Sequence, residues 1–219
     1  AELGLTGTHF VNPNGTEDKN HYSTARDLAN LGRAAMKLDT FREVVEQTDF
    51  KLPDTNLRSS SEWKTGHLTY TNQLLKSRSQ YYSKVTGIKT GYTDLAQRCL
   101  VSSAVNPDNL ELVAVVLGAD SYDILYDESQ KLLEYGYKNY SMQELIPKGK
   151  YIDRFEVADA VDSKKLEVIT NSDVRRILPV DKTELEKDLK MTKTFNEPFA
   201  APIAQGQVVG KIEYLYKGN

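Results

Sequence analysis

The clearest pattern of apolar and polar positions lies in residues 98–117. Two apolar, β-branched runs, residues 98–105 and 111–117, flank the segment Asn106-Pro107-Asp108-Asn109, whose residue types favour a turn. This pattern predicts an antiparallel β-hairpin. Just upstream, residues 85–93 (VTGIKTGYT) are rich in β-branched side chains and predict a further strand.

Helical periodicity appears on both sides of these strands. Apolar residues repeat at helical spacing behind a capping Ser23 or Thr24, and residues 40–47 predict a short second helix. A third helix is predicted for residues 121–137, with Ser121 as its cap. Its apolar side would carry Ile124, Leu125, Leu132 and Leu133.

The pattern changes after the segment Ile146-Pro147-Lys148-Gly149-Lys150. Strand-like runs follow at residues 151–157, 165–170, 174–180 and 208–216, separated by charged or turn-forming residues. Proline and glycine between two differently patterned regions are typical of a domain boundary. We therefore expect a first domain at residues 1–147 and a small all-β domain at residues 148–219.

Composition places the chain among ordinary globular proteins. Of its 219 residues 39% are hydrophobic and 27% charged, and 28 basic against 31 acidic residues give a net charge of -3. No basic stripe indicates a nucleic-acid surface, and no apolar stretch is long enough to predict a membrane span.

The sulfur and imidazole groups give no sign of a metal or cofactor site. The single cysteine, Cys99, excludes an internal disulfide and a cysteine metal cluster, and its apolar strand predicts a buried thiol. His9, His21 and His67 are not spaced as ligands. His9 is expected to be a hydrogen-bonded loop histidine, not a catalytic one, and no metal and no cofactor are expected.

The candidate chemistry lies in Lys89-Thr90-Gly91. On a strand, side chains alternate, so Lys89 and Gly91 point to one face and Thr90 to the other. A bare glycine on an edge strand lets an extended ligand lie along the backbone. The lysine ammonium and the threonine hydroxyl would then meet a negative end, which suits a peptide ending in a carboxylate.

Residues 87–93 (GIKTGYT), followed at once by a hairpin, resemble the third motif of the penicillin-binding serine peptidases and β-lactamases. More narrowly they resemble the D-alanyl-D-alanine carboxypeptidases of low molecular mass. Residues 22–29 (YSTARDLA), 72–75 (NQLL) and 202–210 (PIAQGQVVG) also resemble segments of that family. The resemblance implies an α/β (α+β) partial penicillin-binding/β-lactamase-like domain, with an antiparallel sheet and helices, followed by a small all-β domain.

The resemblance also implies roles for five residues on the predicted strand. Lys89 would supply positive potential, Thr90 a hydroxyl for the substrate carboxylate, and Gly91 room for a close approach. The backbone amide of Tyr92 would be one donor of the oxyanion hole, and Thr93 would add a polar group. Tyr92 departs from the histidine of some members, which leaves pH dependence and substrate preference open.

Two further segments match the sequence patterns of the family's other motifs. Ser61-Glu62-Trp63-Lys64 fits Ser-x-x-Lys, and Tyr70-Thr71-Asn72 fits a variant of Ser-x-Asn. We expect both to be coincidental, because no apolar helical stripe follows Ser61 and only 28 residues separate it from Lys89. No catalytic residue is therefore predicted here. The nucleophile and its base are expected upstream of Ala1, in a longer protein of which this chain is the later part, and the isolated chain is expected to be inactive.

The family implies a serine-type D-Ala-D-Ala carboxypeptidase acting through an acyl-enzyme. Expected partners are peptidoglycan pentapeptides ending in D-Ala-D-Ala and β-lactam antibiotics, with no nucleic acid. Export in the family implies the outer face of the cytoplasmic membrane or the cell wall, with membrane association only through a segment not present here. The alternatives are a β-lactamase-related enzyme and a non-catalytic cell-wall binding or spacer module.

Overall fold

The computed structural model describes residues 2–63, 67–76, 78–161 and 165–217. The chain divides into two compact units, Ala1–Tyr137 and Lys138–Asn219. The domain boundary expected at residue 147 lies inside the second unit and stays a prediction.

The first unit alternates helices with an antiparallel sheet, as the sequence predicted. Thr24 caps the first helix, because its side-chain oxygen accepts a hydrogen bond from the Asp27 amide at 3.1 Å. The elements are α1 (Ala25–Ala35), α2 (Asp39–Val45), β1 (Asp49–Lys51), a 3-10 turn (Ser60–Glu62), β2 (His67–Thr69), β3 (Val85–Thr93), β4 (Gln97–Val105), β5 (Glu111–Ala119) and α3 (Tyr122–Asn139).

The central sheet has the strand order β3-β4-β5, so β3 is an edge strand of it. The predicted hairpin is confirmed: β4 and β5 pair antiparallel, and the Asn106 amide donates to the Leu110 carbonyl at 3.1 Å across the turn. The predicted upstream strand is confirmed too, with Lys89 opposite Val101 and Gly91 opposite Cys99.

Helices cover both faces of this sheet. Gly32 of α1 lies against Val101 and Val113, whereas Leu125 and Leu133 of α3 belong to a buried cluster with Leu100. Neighbouring residues of β4 point to opposite faces, so Val101 and Leu100 face different helices. The sheet is thus the middle layer of three.

The third helix differs from the prediction on its apolar side. Its cap is confirmed, since the Ile124 amide donates to the Ser121 hydroxyl at 3.2 Å. Leu125 and Leu133 are fully buried, but Ile124 and Leu132 are 46% and 45% exposed. Tyr126 and Ser129 complete the buried side instead, because the buried stripe follows residues 125, 126, 129 and 133.

The described elements of the second unit are β6 (Tyr140–Ile146), β7 (Tyr151–Glu156), β8 (Lys165–Ile169), β9 (Val174–Pro179), α4 (Lys182–Asp188), β10 (Leu189–Phe195) and β11 (Gly210–Tyr216). Among these residues the strands form three antiparallel pairs, β6-β9, β7-β8 and β10-β11. Four strands match predicted runs, although β11 begins two residues later than expected. The sequence did not predict β6, β10 or the short helix α4.

Three aromatic side chains pack together in the second unit. The ring of Phe155 lies edge-on to Phe195 and Phe199, with centroids 4.6 and 5.1 Å apart. Edge-to-face packing of this kind is favourable beyond the burial of area alone. It joins β7, β10 and the segment that leads to β11.

The thiol of Cys99 is only half-buried, which corrects the expectation of a buried one, and its Sγ lies 3.3 Å from the Ala96 carbonyl oxygen.

Within the described ranges no helix has the length and apolar character needed to cross a bilayer. The same part of the chain holds no group of three His, Cys, Asp or Glu side chains placed for a metal ion.

Candidate functional site

An open groove of about 640 Å³ runs beside the edge strand β3. It is bounded by the segment that follows β2, by the second half of β3 and by the start of α3. We call it the β3 groove. Its lining residues are Thr69, Tyr70, Thr71, Gln73, Ser79, Gln80, Lys89, Thr90, Gly91, Tyr92, Tyr122, Asp123 and Tyr126.

Four of the five predicted site residues line this groove: Lys89, Thr90, Gly91 and Tyr92. Lys89, Gly91 and Tyr92 are exposed, whereas Thr90 is buried at 9% exposure. A Cβ atom built on Gly91 would meet no atom within 4 Å. The space beside this glycine is therefore open, and nothing in the fold requires it to lack a side chain.

The backbone N–H and C=O groups of alternate residues point to the same edge of a strand. Those of Ile88, Thr90 and Tyr92 therefore point to one and the same edge of β3. The Ile88 carbonyl accepts a hydrogen bond from the Tyr70 hydroxyl at 2.8 Å. The Thr90 carbonyl accepts one from the Lys89 ammonium at 2.6 Å. Both partners are side chains, which indicates that this is the unpaired edge of the sheet and that the Tyr92 amide faces it.

The groove floor is a hydrogen-bonded chain of hydroxyls and tyrosines. The Thr90 hydroxyl shares a short hydrogen bond with the Thr71 hydroxyl. The Tyr126 hydroxyl in turn donates to the Thr71 carbonyl at 3.1 Å. Burial raises the pKa of Tyr126 and of Tyr70, because a phenolate would be poorly solvated there. The groove thus presents the neutral phenols of Tyr70 and Tyr126 beside Lys89.

At the far end of β3, the Tyr92 side chain is held by a residue of the turn that follows the strand. The Tyr92 ring is 51% exposed, and its hydroxyl donates to the Asp94 carboxylate at 2.9 Å. That hydrogen bond raises the pKa of the Tyr92 phenol. Thr93 is the one predicted site residue outside the groove lining, and its hydroxyl accepts the Ala96 amide at 3.0 Å. A ligand contact by Thr93 stays a prediction.

Ser61, the serine of the Ser-x-x-Lys match, is not among the described residues that line the β3 groove. Ser61 lies in an exposed 3-10 turn, and its hydroxyl is 2.9 Å from that of Ser59. The Ser59 and Glu62 side chains cap this turn reciprocally. Lys64 lies outside the described residues. An exposed serine on a single 3-10 turn lacks the buried helical setting that the motif requires.

Asn72, the last residue of the Tyr70-Thr71-Asn72 match, has a structural role in the fold. It is fully buried, its side-chain nitrogen donates to the Gly87 carbonyl at 3.3 Å, and its side-chain oxygen accepts the Leu74 amide at 3.1 Å. Leu74 and Leu75 are buried beside it.

His9, as expected, is a loop residue whose Nδ1 lies 2.6 Å from the Asn20 carbonyl oxygen.

Sequence reasoning missed the wall opposite β3. Tyr122 and Tyr126 fall within the predicted third helix but were not assigned to the site, and neither were Gln73, Ser79 and Gln80. Tyrosines four residues apart share one side of a helix, and this spacing behind a Ser cap was the available signal. No local pattern indicates that Gln73, Ser79 and Gln80 lie beside β3.

Comparison with known proteins identifies the family. The model of the D-alanyl-D-alanine carboxypeptidase family matches residues 1–121, and that of the penicillin-binding protein 5 C-terminal domain matches residues 140–219. The chain belongs to this carboxypeptidase family. The β-lactamase alternative is correspondingly disfavoured, and the matched ranges agree with a peptidase region followed by a β-rich one.

Relatives within the carboxypeptidase family match along the whole chain. The carboxypeptidase DacC of Escherichia coli is 32% identical over 219 residues, which is 100% of this chain and 50% of that protein. DacF of Bacillus subtilis is 29% identical over 214 residues, 96% of this chain and 51% of that protein. The chain therefore spans about half the length of the curated relatives that it matches.

Solved structures agree with this assignment. Penicillin binding protein 5 from Haemophilus influenzae superposes with a TM-score of 0.64 at 29% identity, covering 100% of this chain and 59% of that one. The carboxypeptidase DacD from Francisella tularensis gives a TM-score of 0.54 at 25% identity, covering 97% and 60%. The likeness supports the predicted fold class of an antiparallel sheet with helices, followed by a β-rich region.

Proposed function

We propose that the protein carrying this chain is a serine-type D-Ala-D-Ala carboxypeptidase and that the β3 groove binds its substrate. The family match and the relatives' names support the activity. The observation that carries the site is the unpaired edge of β3, where Gly91 leaves open space beside the exposed Lys89.

In this proposal an extended peptide adds to the free edge of β3 as a further strand. Its terminal carboxylate lies near the Lys89 ammonium, which is the one cationic side chain among the described residues that line the groove. The Thr90 hydroxyl, which shares a hydrogen bond with the Thr71 hydroxyl, donates its single proton to the same carboxylate when Thr71 is the donor of their shared hydrogen bond. Gly91 lets the ligand backbone approach without a side chain between.

The covalent step needs groups from outside these 219 residues. A serine oxygen would bond to the carbonyl carbon of the penultimate D-alanine, the peptide C–N bond would break, and the terminal D-alanine would leave as the amine with the serine proton. Water would then hydrolyse the ester. The Tyr92 amide faces the free edge and would donate to the developing oxyanion, a contact that contributes about 3–4 kcal/mol in transition states where it has been measured.

Under this proposal the partners are peptidoglycan pentapeptides ending in D-Ala-D-Ala. β-Lactam antibiotics would acylate the same serine. The enzyme would act outside the cytoplasm, at the outer face of the membrane or in the cell wall, because that is where such peptides are found. The relatives' names, carboxypeptidase and penicillin-binding protein, support this placement.

The test is labelling of the full-length protein by a fluorescent penicillin, together with release of D-alanine from a synthetic D-Ala-D-Ala peptide. We expect Lys89→Ala to lower both rates about 100-fold, since the substrate carboxylate loses its charged partner, with an unchanged melting temperature. The matched control, Lys131→Ala, removes an exposed lysine whose ion pairs lie on α3 and should label normally.

Two outcomes would overturn parts of this proposal. Wild-type protein that neither labels nor releases D-alanine would favour the non-catalytic wall-binding alternative. Ser61→Ala tests the coincidental motif: it should label as wild type, and loss of labelling would show that Ser61 is the nucleophile after all.

A further inference from the structure

Arg98 occupies a position that the proposed chemistry does not explain. It lies at the start of β4, directly opposite Tyr92 of β3 and Ala119 of β5. The pairing of β4 with β5 becomes irregular between Arg98 and Leu100. An arginine there stands between the end of β3 and the connection from β5 to α3.

The guanidinium group of Arg98 is held between two tyrosine rings. Its central carbon lies 5.2 Å from the Tyr92 ring centroid and 5.0 Å from that of Tyr122, within the range of cation–π attraction. The Tyr122 ring also stacks on Tyr126, with centroids 6.2 Å apart. A row of aromatic and cationic groups thus runs from the end of β3 to the first turns of α3.

Hydrogen bonding fixes the guanidinium group in that row. One terminal nitrogen of Arg98 donates to the Asp120 carbonyl at 2.7 Å. The Nε atom is buried and has no hydrogen-bond partner among the described residues. The planar group thus lies between two rings with one fixed hydrogen bond, and a flexible lysine ammonium could not reproduce both the stacking and the hydrogen-bond direction.

We propose that Arg98 is a positioning residue, which holds Tyr92 at a fixed separation from Tyr122 and Tyr126 on the opposite side of the β3 groove. Tyr92 is the last groove-lining residue of β3, and the turn after it, residues 94–96, is exposed. Arg98 connects this end to Asp120 and Tyr122, on the other side of the groove. The inference rests on the proposed function, because its catalytic consequence acts through the Tyr92 amide.

The position of the Tyr92 amide affects the transition state more than the bound substrate, since an oxyanion donor is useful only where the charge develops. A displaced amide should therefore slow acylation and leave the binding of the antibiotic nearly unchanged. A purely structural arginine would instead lower the melting temperature and reduce the fraction of active protein, with no change in the rate of each active molecule.

The experiment compares Arg98→Ala, Arg98→Lys and Arg98→Gln in the full-length protein, with the exposed, ion-paired Arg175 replaced in a matched control, Arg175→Ala. The acylation rate and the dissociation constant of a penicillin are measured separately by stopped-flow fluorescence. We expect Arg98→Ala to slow acylation about tenfold with a dissociation constant within twofold of wild type. Arg98→Lys should recover part of the rate by restoring the cation between the rings.

Hydrogen exchange at the Thr93 amide, which by the alternation along β3 points toward β4 opposite Gln97, gives a readout that does not depend on activity. In Arg98→Ala this amide should exchange faster, with exchange in the centre of β4 and β5 unchanged. Wild-type acylation and exchange rates in Arg98→Ala would overturn the inference. If that variant fails to fold, Arg98→Gln decides by the same two measurements. Failure of the proposed function would appear differently, as wild-type protein that is not acylated at all.

Discussion

The two halves of strand β3 have the same neighbour in the sheet but opposite surroundings. In the first half Val85, Gly87 and Ile88 are buried, and side chains satisfy backbone carbonyls, with Asn72 donating to Gly87. In the second half Lys89, Gly91 and Tyr92 are exposed to the groove. One continuous strand is thus held firmly at one end and left open for a ligand at the other.

The two glycines show the difference most clearly. A Cβ atom on Gly87 would lie 2.7 Å from Cγ2 of Val45, whereas one on Gly91 would meet nothing within 4 Å. Gly87 is required by the fold, because α2 packs directly against it. The fold does not require Gly91, so the reason for a glycine there is sought in the ligand.

Of the two glycine substitutions, Gly91→Ala is expected to have the larger effect on activity. The added methyl group would project into the groove and clash with a peptide lying along β3, so we expect a loss of about 10–100-fold in penicillin acylation, the equivalent of about 1–3 kcal/mol of overpacking. Thermal unfolding should be unchanged, since Gly91 does not have a left-handed backbone and the space is open.

Gly87→Ala is its matched counterpart and should show the reverse. The methyl group must displace Val45, at a cost of about 1–3 kcal/mol in the free energy of unfolding, measured by urea denaturation. Any protein that remains folded should be acylated normally. Equal stability losses in both glycine variants would contradict the division of β3 into a fold-determining and a ligand-binding half.

Asn72→Ala tests the hydrogen bonding of the closed half. The Gly87 carbonyl and the Leu74 amide would lose their side-chain partner inside the protein, so we expect a loss of about 1–3 kcal/mol in unfolding free energy. Asn12→Ala removes similar hydrogen bonds to Gly15 and Thr16 in an exposed loop, where water can replace them. It should cost about 0.5 kcal/mol or less, and a similar cost for both variants would argue against burial as the cause.

The smallest expected effect concerns the ion pair at the start of β3. Glu134 accepts hydrogen bonds from Tyr82 and, at 2.9 Å, from Lys84, and these contacts lower the pKa of Glu134 below 4.5. A carboxyl whose pKa is lower in the folded state adds stability above pH 4.5, and this contribution is lost as the pH falls through the folded-state pKa.

Because the Glu134 side chain is 53% exposed, solvent limits the effect to less than about 1 kcal/mol. We expect Glu134→Gln to be slightly less stable than wild type at pH 7, with the difference shrinking as the pH is lowered below 4.5, measured by urea denaturation at pH 7 and at pH 3. A stability difference that does not change with pH would show that the ion pair contributes nothing.

The sequence predicted those parts of the fold that have local signals. The β-branched run around Lys89 and the caps Thr24 and Ser121 correctly located β3, α1 and α3. Strand β10 was missed because Lys193 interrupts the alternation of Leu189, Met191 and Phe195, and five of its seven side chains are exposed. Strand β6 is likewise interrupted by polar residues between Met142 and Ile146.

The candidate site could be predicted only in its strand component. Lys89 and Gly91 carry a recognisable triplet, but the hydrogen bond between Thr71 and Thr90 joins residues 19 positions apart through an irregular segment. The contact of Arg98 with Tyr122 depends on where α3 begins relative to β4. Such pairings are set by the packing of distant elements, and no periodicity in the sequence encodes them.

The half-buried thiol of Cys99 makes this edge of the sheet accessible to spectroscopy. Cys99 lies directly across from Gly91, where paired residues of neighbouring strands share a face at roughly 5 Å, and these 219 residues contain no other cysteine. A small fluorinated tag on that sulfur would therefore sense arrival of a peptide one strand away, without any engineered attachment point.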